Sequence, residues 1–426
     1  MSGESSFELR GEATAPGDAL RAFAASRASH RFYWERPARG ESVLGLGAAA
    51  VLEATGEGAL RELASRGAAL QRRVRVTSAG PGPVPLLVGG VAFDPASPAS
   101  ERWSDFPGAR LVLPAHLRVQ RAGRAAVYRV AGASAVPQTE PPAPLPADPP
   151  DFRIVADQSS EAWRAKAAAA REAVRSGVLE KVVLARSCLV TAAAPLDVAG
   201  LLTALRERHP GCTLFAVASG GTTFLGATPE DLVEVDAEGR VAASALAGSA
   251  RRGRTPEEDR ALARALRESK KEQEEHAVVV RALRRVLSET CSELTAPEAP
   301  GLLRTDGIQH LHTPFDGRLA DPGTSVLDLV GRLHPTPAVG GAPRGVALDW
   351  LRRREHLDRG WYAGCVGWVG AGGEGAFAVA LRSALVRGPE ALLFAGAGIV
   401  AASDPAAELA ETRLKLRSVL GPLVEI

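Results

Sequence analysis

The chain has 426 residues, 46% hydrophobic and 23% charged, which is enough for one large α/β unit or two domains with a sizeable core. Its 51 Lys and Arg balance 49 Asp and Glu, so composition offers no electrostatic footprint for nucleic acid or an anionic membrane; the expected partner is a small molecule. Four widely spaced cysteines (Cys188, Cys212, Cys291, Cys365) contain no C-x-x-C pair, fit neither a disulfide framework nor a zinc cage, and are expected as reduced core residues.

The N-terminal MSGESSFELRGEATAP mixes acids, a base and prolines without an apolar centre, unlike a secretory signal or transit peptide. The longest apolar stretch, ALLFAGAGIVAA near residues 391–402, is too short to span a membrane and reads as a buried strand and turn. A cytoplasmic monomer is therefore expected. Runs such as LLVGGVAF (Leu86 to Phe93) and ARLVLPAHLRVQRA predict short strands in a β-rich N-terminal part, residues 1–150. Seven prolines between Val136 and Phe152 predict an exposed connection to a second part, residues 151–426. There, strands KVVLARSCLV, TLFAVAS and TTFLGATP alternate with long helical patterns, giving a mixed α/β fold class.

Lys181 opens the first of these strands. Burial and neighbouring cations would lower its pKa; acting as a base near neutrality needs a drop of about three from ~10.4, or about 4 kcal/mol. Glu230 closes GATPE before the apolar DLVEV, a setting in which a carboxyl stays protonated and serves as a general acid. Either residue would equally serve in an ordinary salt bridge.

The longest helix is predicted to begin at TPEED, capped by Thr255 with Pro256 in its first turn, and to run to about Leu287. On it Glu268, Glu272 and Glu275 share a face beside His276, and such oxygen donors suit magnesium, although Lys270 and Lys271 could equally pair with them on a solvated surface. His310 and His312 lack a third zinc ligand at familiar spacing.

In VALRSAL, Arg382 interrupts an apolar run and needs a carboxylate or a bound anion. Gly396 and Gly398 in LLFAGAGIV would let backbone N–H groups approach an anion, or else form a packing turn. The last helix is predicted from a Ser403 cap. It sets Glu408, Glu411 and Lys415 on one face and Leu409, Leu416 and Leu420 on another, so the acidic face either addresses a cavity or is salt-bridged in solvent.

In order, KVVLARS, FLGATPE, ALAGSARRG, the EEH of the long helix, LHPTPAVGG, RGWYAGCVGW, VALRSAL, LFAGAGIV and AELAETRLKL resemble the chorismate-utilising enzymes. The resemblance spans about Ala162 to Leu420 and leans toward the isochorismate synthases, with FYWERP (Phe32 to Pro37) and GGVAFDP (Gly89 to Pro95) extending it into the N-terminal part. It implies one large fold of two β-rich halves packed together with helices outside, the N-terminal part included. It further implies that Glu275 and Glu411 bind Mg2+ directly, that Glu272 and Glu408 support it through water, and that the metal clamps the ring carboxylate of chorismate. Gly248, Ser249, Gly396 and Gly398 would contact the same carboxylate, Tyr362, Arg382 and Lys415 would hold anionic groups, and His310 would line the ring pocket. Lys181 would activate water for attack at C2 and Glu230 would protonate the leaving C4 hydroxyl. Lysine at 181 disfavours an aminating relative such as anthranilate synthase, and no amidotransferase subunit is implied. A salicylate synthase is the nearest alternative, from which Ser249 in place of threonine leans away; a non-catalytic chorismate-binding module would have no use for an acid, a base and a metal set. Menaquinone and siderophore biosynthesis both use the implied product.

Overall fold

The computed structural model describes residues 6–77, 80, 84–134, 151–305 and 307–425. The predicted proline-rich connection lies outside the described residues up to residue 150; Phe152 opens a strand, Phe152–Ala156.

Among the described residues the strands form a 13-stranded and a 10-stranded sheet. Both draw strands from before and after residues 135–150. In the larger sheet, His30–Arg36 lies between Glu41–Leu46 and Thr213–Ser219; in the smaller, Pro85–Val91 pairs with Cys365–Gly370. Pairing is antiparallel except between Phe7–Thr14 and Val74–Thr77, as expected when most neighbours follow one another through short turns.

Strand alternation explains the layering. Phe32 and Trp34 enter the core between the sheets while Tyr33, pointing the opposite way, packs under outer helices, so this strand is apolar on both faces. Trp103, Phe106, Phe224 and Trp361 meet edge to face within that core at centroid separations of 5.1–6.5 Å. Burial of each such ring contributes ~1.5–3 kcal/mol. The opposite face of the larger sheet is covered by Ala19–Ala25, Val198–Arg208 and Pro405–Val424. All four cysteines are free and buried, and no helix among the described residues is long and apolar enough to cross a membrane.

The predicted start at Thr255 and Pro256 is found, while the extent of that helix and the cap of the last helix are corrected. The pattern read as one helix from TPEED is two, Pro256–Glu268 and Lys270–Thr290, because the Ser269 hydroxyl accepts from Glu272 N–H and starts a new helix. Glu268 thus ends the first helix, exposed and apart from Glu272 and Glu275. The last helix is capped by Asp404, whose carboxylate accepts from Ala407 N–H, not by Ser403. Ser403 is buried one residue earlier, where its hydroxyl donates to the Gly398 carbonyl and accepts from Val400 N–H.

Helix Lys270–Thr290 packs on Arg240–Arg251 of the smaller sheet and Pro405–Val424 packs on Glu390–Ile399 of the larger. Their acidic faces therefore arrive from opposite layers of the fold.

Candidate active site

A cleft opens where these helices meet. Its lining includes Glu230, Gly248, Ser249, Glu275, His310, Tyr362, Arg382, Gly396, Gly398 and Lys415, drawn from both sheets. Lys181, Glu272, Glu408 and Glu411 stand behind that lining and do not form it.

Lys181 is fully buried, its Nζ 3.0 Å from Glu275 Oε1. Burial opposes ionisation of Glu275, but Lys181 and Lys271 outweigh it and hold the carboxyl below its ordinary range. Gly398 makes this pair geometrically feasible, since a Cβ there would collide with the Glu275 carboxylate and approach Lys181 Cε at 2.9 Å.

Four carboxylates gather from the two helices. Lys271, read from sequence only as a surface partner, sends its ammonium among them: 2.9 Å from Glu272 Oε1, 2.9 Å from Glu408 Oε1 and 3.7 Å from Glu275 Oε2. Glu411 pairs with Lys415 at 2.7 Å, and Lys415 also donates to the Gly396 carbonyl at 3.0 Å. Burial and then the Glu411 charge push Glu408 up to about 7; burial and then Glu275 raise Glu272. This concentration of negative charge supplies hard oxygen donors of the kind magnesium takes. Among the described residues no three potential ligands already form a metal cage; the ammonium of Lys271 lies where the carboxylates would have to close.

Glu230 sits between strands Thr222–Thr228 and Asp231–Val235, its backbone fixed by bonds to Thr228 Oγ1 and Val379 N–H. Burial pushes its carboxyl up to about 8, against the opposing pull of Lys181 and Lys415, so it is protonated at neutral pH. The neighbouring Asp231 is tied to the N-terminal part: Arg36 of FYWERP, buried and stacked on Trp34, reaches Asp231 at 3.2 Å and Glu234 at 2.7 Å.

His310 bridges Ser249 Oγ (2.9 Å from Nδ1) and Arg382 (3.2 Å from Nε2). A guanidinium only donates, so Nε2 accepts and Nδ1–H donates to Ser249, leaving the serine hydroxyl hydrogen for another acceptor. Burial, with Arg382 and Lys415 adding to it, holds the imidazole neutral. Ser249 N–H already donates to Glu272 Oε2 at 3.0 Å, so as it stands this amide is not free for a substrate carboxylate. Gly248 occupies a bulge at φ +77°, the turn that aims Ser249 inward. Arg382 is held at φ +48°, and Tyr362 stacks on Phe394 at 4.9 Å. His276 bonds the Ala247 carbonyl and Thr313, and neither it nor His312 lines the cleft.

Sequence reasoning missed Lys271, whose charge looked like surface, and the apolar wall of Val183, Leu246, Leu381 and Phe394, which lie inside the quoted motifs but were given no role there. Nothing in the sequence marks Lys271 off from Lys270, which shares the first helical turn and is exposed.

The sequence matches the family described as chorismate binding enzyme over residues 5–424, and the chain belongs to that family. It is 40% identical to the salicylate biosynthesis isochorismate synthase of Pseudomonas aeruginosa, over 95% of this chain and 87% of that protein. It is 33% identical to the isochorismate synthase MenF of Bacillus subtilis, over 92% and 88%. In structure it resembles MenF, the menaquinone-specific isochorismate synthase from Escherichia coli, with TM-score 0.81 and 25% identity over 99% of this chain and 96% of that one.

Proposed function

We propose that the chain is an isochorismate synthase, an isomerase that adds water to chorismate at C2 and expels the C4 hydroxyl. The observation that carries this reading is a buried lysine in contact with the acidic cluster, together with a protonated glutamic acid in the same cleft. Relatives that cover most of the chain bear the same activity in their names.

The four glutamates fit magnesium: they are oxygen donors, they come from two elements, and together they carry excess negative charge in a buried setting. Glu275 and Glu411 would hold the ion directly, with Glu272 and Glu408 supporting it through water. Bound there, it supplies positive charge against the substrate's ring carboxylate and strengthens a weak electrophile. Tyr362, Arg382 and Lys415 hold the anionic groups, while Gly396 and Gly398 let the substrate approach the sheet closely.

Lys181, released from its pair with Glu275 and having given up its own ammonium proton to solvent, takes a proton from the attacking water as oxygen bonds to C2. Both ring double bonds shift, C1=C2 to C1=C6 and C5=C6 to C4=C5, the C4–O bond breaks, and Glu230 delivers its proton so that the departing group leaves as water. One water enters and one leaves, hence an isomerisation. General acid–base steps of this kind contribute 10²–10⁴-fold each, by order of magnitude. Neutral His310 holds Ser249 in place and has no proton to give at Nε2. Isochorismate made this way would feed menaquinone or siderophore biosynthesis.

The test is incubation of purified protein with chorismate, with and without Mg2+, with separation of the products. Isochorismate formed only with the metal is the expected result. Salicylate plus pyruvate as main products would replace the reading with a salicylate synthase, and an ammonia-dependent aminated product would remove Lys181 from it.

A further inference from the structure

Lys271 is the second residue of helix Lys270–Thr290. That end of a helix carries partial positive charge, so a cation there does nothing for the helix itself. Its side chain nevertheless turns inward, and one ammonium touches carboxylates from both acidic helices: Glu272 and Glu275 on its own helix and Glu408 on Pro405–Val424. Its neighbour Lys270 is exposed. Its close contacts are to Glu272 and Glu408, the carboxylates proposed to reach the metal through water, with Glu275 at 3.7 Å, so the ammonium fills space between the two acidic helices that the ion and its waters would take.

Charge balance decides whether this ammonium and a dication can share the cluster. Glu272, Glu275, Glu408 and Glu411 face the ammonium groups of Lys181, Lys271 and Lys415. With all four carboxyls ionised, a dication added while Lys271 stays would leave positive charge in excess; with Lys271 withdrawn, the remaining charges cancel. The lysine stem is long and flexible, and this side chain keeps 20% of its surface in solvent, so a path outward exists.

We propose that Lys271 is an internal counter-ion: it holds the two acidic helices together before magnesium binds and is displaced by it, so that metal affinity is set by competition with this side chain. The inference rests on the proposal that the four glutamates hold magnesium.

Two measurements with Mg2+ alone test it. In the wild-type protein, reductive methylation mapped by peptide mass spectrometry should label Lys271 several-fold faster with magnesium than without, while exposed Lys270 labels at one rate throughout. In Lys271→Gln, calorimetry should find magnesium bound on the order of tenfold more tightly. That variant should melt at lower temperature without metal, and magnesium should raise its Tm more than it raises that of the wild type. If magnesium binds both proteins with equal affinity and Lys271 labelling does not rise, the counter-ion role is wrong and the metal site stands. If magnesium produces neither heat nor a Tm shift in either protein, the magnesium reading fails and takes this one with it.

Discussion

Lys181 Nζ lies 3.0 Å from Glu275 Oε1, and the ammonium is wholly enclosed while the carboxylate keeps 9% of its side-chain surface. The residue assigned to activate water is thus paired with a residue assigned to hold the metal, so the two roles are coupled.

Replacing Lys181 by Gln should lower kcat by about 10²–10⁴-fold. Removing one partner of a buried pair also costs about 3–5 kcal/mol, so the metal-free variant should melt earlier, and magnesium should recover part of the loss by giving Glu275 a new counter-charge. Product separation and thermal melts read both effects. Turnover near wild type would take Lys181 out of the mechanism.

Glu230 must carry its proton to serve as the acid, so activity should fall as pH rises through about 8. The same shift sets the sign of the effect on stability. A carboxyl raised in the folded state binds more protons than the unfolded chain between its ordinary value and about 8, so stability falls as pH rises across that window. Glu230→Gln removes this cost. The variant should lose turnover by about 10²–10⁴-fold yet gain Tm relative to wild type, increasingly from pH 5 to 8 and on the order of a few kcal/mol at the upper end. A Tm difference that does not vary with pH would contradict the buried, protonated state.

Gly398→Ala places a methyl group against Glu275 and Lys181. Overpacking costs about 1–3 kcal/mol, and the displaced pair should abolish most turnover with little change in overall secondary structure. Circular dichroism beside a product assay checks this; a fully active variant would mean the strand relaxes without moving the pair.

Arg36→Met leaves Asp231 and Glu234 without their buried partner. Both carboxylates keep about a third of their surface and Arg39 still reaches them, so a destabilisation of about 1–2 kcal/mol is expected. At a temperature where the variant is folded, kcat should fall more than KM changes, because the strand after Glu230 loses its anchor. An unchanged kcat in the folded variant would confine Arg36 to stability.

The elements were legible where periodicity is strong. KVVLARSCLV alternates or runs apolar because both its faces are buried, and the two acidic helices announce themselves by carboxylates three or four apart. The break at Ser269 was not legible, since RESKKEQ keeps good helix formers on both sides and only a capping hydroxyl divides them. The reading of Lys271 failed for a related reason: its partner Glu408 is 137 positions away, and charge patterning along one helix is blind to a second. The Arg382–His310–Ser249 chain was equally hidden. Each member was singled out, but their joining depends on a bulge at Gly248 that shifts register by one residue.

Strand His30–Arg36 is hydrogen-bonded along both sides, to Glu41–Leu46 and to Thr213–Ser219. A fragment cut to begin after the proline-rich stretch would keep every proposed catalytic side chain, yet it would bare the long flank of Thr213–Ser219 as an open template for intermolecular pairing. Such a fragment should precipitate, and adding the missing N-terminal piece in trans should rescue it only if that piece is present before the bared flank finds another copy.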